Sequence, residues 1–157
     1  MRVIIDTREK APFRFQGERY ADVETEVGKL DTGDYSLAGL ADKVAVERKS
    51  LDDLIQCLGH ERGRFERELQ RGAAFDAFCV VVEADWQALA QGHYRSQMLP
   101  HAAAQSVLAF IARYRVPFLF AGSRAAAEYA CHGFLTQYMQ SVRKRLNAII
   151  RAHGDAA

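Results

Sequence analysis

The run from Gly33 to Leu54, GDYSLAGLADKVAVERKSLDDL, changes its hydrophobic period once, and that change constrains how the middle of the chain can fold. Up to Lys49 the apolar residues alternate, the period of a strand with one face on a core. If the turn-prone residues Ala38 to Lys43 form a loop, Leu37 faces Val44, Tyr35 faces Val46 and Asp34 faces Glu47. Tyr35, Leu37, Val44 and Val46 then point to one side of a hairpin, and Asp34, Ala45, Glu47 and Lys49 to the other. From Ser50 the period becomes helical, with Leu51, Leu54, Ile55 and Leu58 in step. Ser50 is a natural N-cap, and Asp52 and Asp53 suit the positive end of a helix.

That hairpin poses an electrostatic problem. Directly opposed residues have Cβ atoms about 4.5–5.5 Å apart. Two ionised carboxylates at ~5 Å repel by roughly 3 kcal/mol at an effective dielectric of about 20. An Asp34–Glu47 pair therefore points to something cationic between them, and a divalent ion such as Mg²⁺, which favours carboxylate oxygens and keeps several waters, fits. Lys49 lies on the same face, placed to orient a water or to stabilise charge on a phosphate. Asp6 and Glu9, at the end of the strand RVIID, are candidates to supply a further ligand or to hold a metal-bound water.

The remaining elements are read in the same way. Val23, Thr25 and Val27 alternate with acids as in a half-exposed strand. Gly59 and Gly63 interrupt the helical pattern, and RGRFERELQRG resumes it, with Gly72 able to close it. AFCVVVEAD, residues 77 to 85, is a buried strand, and Trp86 to Gln91 suits a short helix, with Trp86 packed on the sheet. Pro100 opens a helix that stops before Pro117, PFLFAG is a short strand, and Ser123 to Arg151 is mostly helical, with a break possible at Gly133. The expected architecture is an α/β single domain, a mixed β-sheet flanked by helices, over residues 1–152, with 153–157 a disordered tail.

At 157 residues, 49% hydrophobic and 26% charged, the chain has the length and composition of one globular domain. Its net charge of +1 neither favours nor excludes a polyanionic partner. Distribution says more: Arg62, Arg64, Arg67 and Arg71 crowd one segment, and Arg143, Lys144, Arg145 and Arg151 another. Each cluster is read either as a solvated helix face or as a nucleic-acid contact, with Arg62, Arg64 and Arg67 the candidates for the latter. MRVIIDTREK lacks the pattern of a signal peptide, and no apolar run approaches the roughly 20 residues of a membrane span. Cys57, Cys79 and Cys131 suit reduced, packed thiols, and the histidines have no zinc spacing. No glycine-rich phosphate loop is present, which argues against NTP use.

An acid, one hairpin, then E-x-K resembles the core pattern of the PD-(D/E)xK nuclease superfamily. The words DTRE, GDY and VERKSLDDL, in that order, resemble the D-x-R-E, G-D-Y/F and V-E-R-K-S-x-x-D-L blocks of XPF/Hef-type structure-specific endonucleases. GRFERELQR and CVVVEAD are similar to that family's next helix and strand. The resemblance implies a restriction-endonuclease-like fold, with Asp34 and Glu47 as metal ligands, Asp6 beside them, and Lys49 as the catalytic lysine. Arg8, Glu9, Arg48 and Asp53 become supporting positions, with Arg8 and Arg48 either clamping phosphate or pairing with an acid. The implied reaction is Mg²⁺- or Mn²⁺-dependent hydrolysis of DNA at a branch, flap or junction, in an intracellular, cytoplasmic or nucleoid-associated setting.

The alternative is a non-catalytic, junction-binding subunit with the same fold, although such subunits usually lose the acids and lysine that stand here. The sequence shows neither the tandem helix-hairpin-helix module nor the helicase segment that some members carry. A partner chain, a second copy or only modest selectivity is therefore expected. The wide apolar stripe of the last helix, from Phe134 through Leu146 to Ile150, is either the homodimer or heterodimer face that this family places there or a broad monomer core.

Overall fold

Six strands form one mixed sheet in the computed structural model, which describes residues 1–154. They are β1 (Arg2–Asp6), β2 (Glu24–Gly28), β3 (Tyr35–Leu37), β4 (Val44–Lys49), β5 (Ala77–Val82) and β6 (Phe118–Phe120), ordered β2-β1-β3-β4-β5-β6. The pairs β1–β2, β4–β5 and β5–β6 are parallel, whereas β1–β3 and β3–β4 are antiparallel. The helices are α1 (Leu51–Leu58), α2 (Arg62–Ala73), α3 (Trp86–Gln91), α4 (Pro100–Tyr114) and α5 (Arg124–His153), with a short 3₁₀ turn at Glu18–Tyr20.

Alternation along β3 and β4 divides the core in two. Val44, Val46, Tyr35 and Leu37 join Cys79 and Val81 under Ala127, Cys131 and Leu135 of α5. Ala45 joins Val80 and Val82 under Leu54, Phe65, Leu69, Val107 and Phe110 of α1, α2 and α4. β5 is buried on both faces, so AFCVVV is an unbroken apolar run, the composition of a central parallel strand. β2 is the opposite case: it lies at the sheet edge with Val27 74% exposed, and charged Glu24 and Glu26 discourage further pairing.

The helix starts follow from their caps. Ser50 Oγ accepts from the Asp53 N–H and donates to the Asp53 carboxylate, Asp85 caps α3, Ser123 caps α5, and Pro100 opens α4. Trp86 meets Phe120 edge-to-face at a centroid distance of 5.2 Å.

Several expectations shift. Gly72 does not close α2; it sits inside the helix where Phe78 presses on the backbone and leaves no room for a Cβ. Gly133 makes no break, because α5 continues through it to His153. The boundary expected after residue 152 therefore falls within the last turn of α5, and 155–157 of the expected tail lie outside the described residues. Half of the α5 stripe covers the core, with Phe134, Tyr138 and Met139 packed against it. The other half reaches into solvent, where Leu146 is 53% and Ile149 57% exposed.

Candidate active site

β1 and β4 flank β3 and end at the same end of the sheet, where the loop entering β3 lies between them. The ladder registers Tyr35 with Val46 and Ser36 with Ala45, the expected pairing, and stops there. Instead of continuing it opposite Glu47, Asp34 donates its N–H to the Val46 carbonyl at 2.8 Å and accepts the Asp6 N–H on its own carbonyl at 2.8 Å. Its Oδ2 accepts the Arg48 N–H at 2.7 Å. Gly33 makes this turn possible, with φ at 80° and no room for a side chain against Ala45. Three main-chain contacts thus fix Asp34 before its carboxylate does anything else.

Glu47 is 3% exposed and forms an ion pair with Lys49. The Lys49 ammonium also lies 5.5 Å from the centre of the Phe65 ring, which α2 supplies from above. Asp34, Glu47 and Lys49 line a cleft of about 190 Å³, together with Arg8, Arg64 and Glu68. A wider lobe of about 390 Å³ continues from it past Glu9, Lys10 and Asp53.

Burial pushes the Asp34 carboxyl up to about 6, against the opposing pull of the Arg48 N–H and Lys49. Burial raises Glu47 well above the ordinary carboxylate range, and Asp34 raises it further. Lys49 is the mirror case: burial would lower its pKa, but Glu47 more than compensates and holds the proton. One half-buried ammonium therefore serves the half-buried Asp34 carboxyl and the buried Glu47, so the inner site is short of positive charge.

The supporting residues divide by contact. Burial alone would raise Asp6, yet it stays low because both oxygens are engaged: Oδ1 with the Arg8 N–H and Nε, Oδ2 with Arg8 Nη2 and the Leu30 N–H. Asp6 thereby fastens the loop to β1, and it lines the small cleft beside Asp34 and Glu47. Arg8 pairs with Asp6 but remains 66% exposed at the cleft rim.

Arg48 points to the other face of β4. Its Nε and Nη2 donate to Glu9 at 2.8 and 3.0 Å, and its Nη1 donates to Glu83 at 3.1 Å. Both Glu9 and Glu83 are thus ion-paired with Arg48, which also borders the wider lobe. Glu83 Oε1 also accepts from Arg124 at 2.6 Å, and Arg124 in turn donates to the carbonyls of Ala11 and Pro12. Sequence reasoning missed Arg124, because its partners lie on loops far away in the chain.

Asp53 caps α1 and borders the wider lobe. Among the arginines proposed for nucleic acid, Arg64 lines the cleft and pairs with Glu61. Arg67 is exposed and away from it. Arg62 donates to the Leu58 carbonyl and to Ser106 and lies 4.7 Å over the Phe110 ring, stitching α2 to α4. Glu68 was also missed. The available signal was its place one turn after Arg64, beside the buried Phe65–Leu69 stripe that turns toward the sheet. Burial raises all three thiols, Cys57 to about 11, consistent with packed cysteines.

Comparison with known proteins follows the same lines. The ERCC4 domain family matches residues 5–132. No curated protein sequence matches. Among solved structures, XPF from Aeropyrum pernix aligns with a TM-score of 0.67 at 20% identity, covering 100% of this chain and 76% of that one. XPF from Aeropyrum pernix in complex with DNA aligns with a TM-score of 0.67 at 20% identity, covering 89% of this chain and 66% of that one. At such identity the likeness speaks for the fold.

Proposed function

We propose, on the premise that this chain belongs to the ERCC4 domain family, that it is a divalent-metal-dependent DNA endonuclease acting at branched, flap or junction structures. The observation that carries this reading is the pair of carboxyls, half-buried Asp34 and buried Glu47, beside Lys49 in one cleft.

The donor set suits a hard cation. Among the described residues no three of His, Cys, Asp or Glu close into a metal cage, so a protein-only site for zinc or calcium is not built here. Two carboxylates with water or phosphate oxygens in the remaining positions match the preference of Mg²⁺, and Mn²⁺ accepts the same oxygens. Asp34 and Glu47 would hold the ion. When bound, it would supply Lewis-acid polarisation of the phosphodiester and a more acidic water. In the hydrolysis, a water oxygen bonds to phosphorus and one ester oxygen leaves with a proton. Lys49, its ammonium held by Glu47 and the Phe65 face, is placed to stabilise the added negative charge on phosphate. Arg8 and Arg64, on the exposed rim, supply phosphate-binding charge, which positions DNA without reading sequence.

The A. pernix structure with DNA supports DNA as the ligand class. Pairing through α5, with a second copy or a related chain, is supported by the exposed Leu146 and Ile149. Among the described residues no helix is long and apolar enough to cross a membrane. A DNA substrate goes with a cytoplasmic or nucleoid-associated address.

The deciding experiment incubates the purified chain with 5′-labelled flap, splayed-arm and linear duplexes plus Mg²⁺ or Mn²⁺, with Asp34→Ala as control. Cleavage of branched DNA that needs both metal and Asp34 is expected. Folded protein that binds these DNAs but cuts none, alone or with a partner nuclease subunit, overturns the enzyme in favour of a junction-binding subunit.

A further inference from the structure

Among the described residues, every charged group facing the smaller cleft is committed to a neighbour except one. Asp6 is tied to Arg8, Glu47 to Lys49, and Arg64 to Glu61. Asp34 Oδ2 holds the Arg48 N–H. Glu68 enters the same cleft from α2, the element opposite the two strand acids, and takes part in none of these pairs. Its helix neighbour Arg64 stands one turn earlier, the spacing of a favourable pair, yet turns to Glu61 instead. A half-buried carboxylate set across from two other acids without an ion pair is unfavourable in the metal-free protein. Helix stability does not require it, since α2 is anchored by Phe65, Leu69 and Gly72.

We propose that Glu68 is a positioning residue for the divalent cation: it accepts hydrogen bonds from the ion's waters on the α2 side, opposite Asp34 and Glu47. The inference rests on the metal-site reading of Asp34 and Glu47 given above. Contact through water agrees with the absence, among the described residues, of any three acids close enough to ligate one ion directly. It also gives the hydrated ion acceptors on two sides of the cleft, and groups that orient bound waters typically change metal affinity by about 10–100-fold when removed.

The test is calorimetric Mn²⁺ titration of the wild-type protein, Glu68→Gln and Glu66→Gln, at about 0.1 M and 0.5 M KCl. Glu66 lies on the same helix but pairs with Arg62 and Arg113 away from the cleft, so its variant reports a pure charge change. Glu68→Gln is expected to bind Mn²⁺ about tenfold or more weakly at both salt concentrations. Glu66→Gln should differ from wild type by less than about twofold once salt screens distant charges. Thermal melts of the metal-free proteins confirm folding, with Glu68→Asp as the second variant, expected to recover part of the affinity. Wild type that binds while Glu68→Gln binds equally well overturns the role of Glu68 and leaves the metal site standing. Wild type that binds no Mn²⁺ overturns both.

Discussion

Lys49 is the residue whose role can be isolated most cleanly. Its ammonium is half-buried, engaged with Glu47, and placed over Phe65. Lys49→Ala is expected to reduce cleavage by on the order of 10³-fold or more, while Mn²⁺ binding, read by calorimetry, stays largely intact. Unchanged cleavage would remove Lys49 from the chemistry. Asp34 gives the pH prediction. Burial raises its folded pKa to about 6 from 3.8, so the folded, metal-free protein holds a proton that the unfolded chain releases. Stability from this group is therefore complete below about 4 and lost as pH rises through about 6, by roughly 3 kcal/mol from the size of the shift. Asp34→Asn should then raise Tm of the metal-free protein at pH 8 and lose that advantage at pH 4, measured by thermal melts in chelator. In the loaded protein protons compete with the cation, so wild-type cleavage should fall as pH drops below about 6. A flat activity profile from neutral to pH 4 would contradict the assignment.

At the scale of elements, the hairpin was the most legible part of the chain. The alternation of Tyr35, Leu37, Val44 and Val46 specified the Tyr35–Val46 register, and the observed ladder has it. Local periodicity could not show that Asp34 leaves the ladder, because that depends on Asp6 engaging its carbonyl while Val46 engages its N–H. Nor could it distinguish Gly72 as a helix end from Gly72 as a seat for Phe78, six residues later on another element. The Gly33 turn makes a direct test. A Cβ there would stand 2.8 Å from Ala45 Cβ and 3.2 Å from the Val46 carbonyl, at a positive φ that Ala resists. Gly33→Ala should cost about 3 kcal/mol, a fall of roughly 6–12 °C in Tm, and reduce Mn²⁺ affinity because Asp34 shifts with the turn. A variant with wild-type Tm and affinity would show that the turn has slack.

For the whole molecule, sequence blocks led to the fold class and to most of the cleft, but not to the contacts that decide between roles. Arg62 and Arg64 look alike in GHERGRF; only the packing of α2 against α4 makes the first a structural tie and the second a cleft residue. The same holds for α5, whose stripe reads as uniform although only its first half, to about Met139, meets the core. Past Gln140 the helix carries Arg143, Lys144, Arg145 and Arg151 with no acid among the described residues, around Leu146 and Ile149. If that half pairs with a second copy, Leu146→Glu with Ile149→Glu should convert a dimer to a monomer in sedimentation while leaving Tm within about 3 °C, the shift typical of a surface change. A wild type that sediments as a monomer at all concentrations would leave only a heterologous partner.

Arg124 sits in the first turn of α5 and shares Glu83 with Arg48, the residue between Glu47 and Lys49 on β4. A helix of 30 residues is about 45 Å long, and its first half, from this shared carboxylate to about Met139, lies on the core. Glu83 thus couples the first turn of α5 to Arg48, whose main-chain N–H holds the Asp34 carboxylate, so the helix reaches the cleft at second hand.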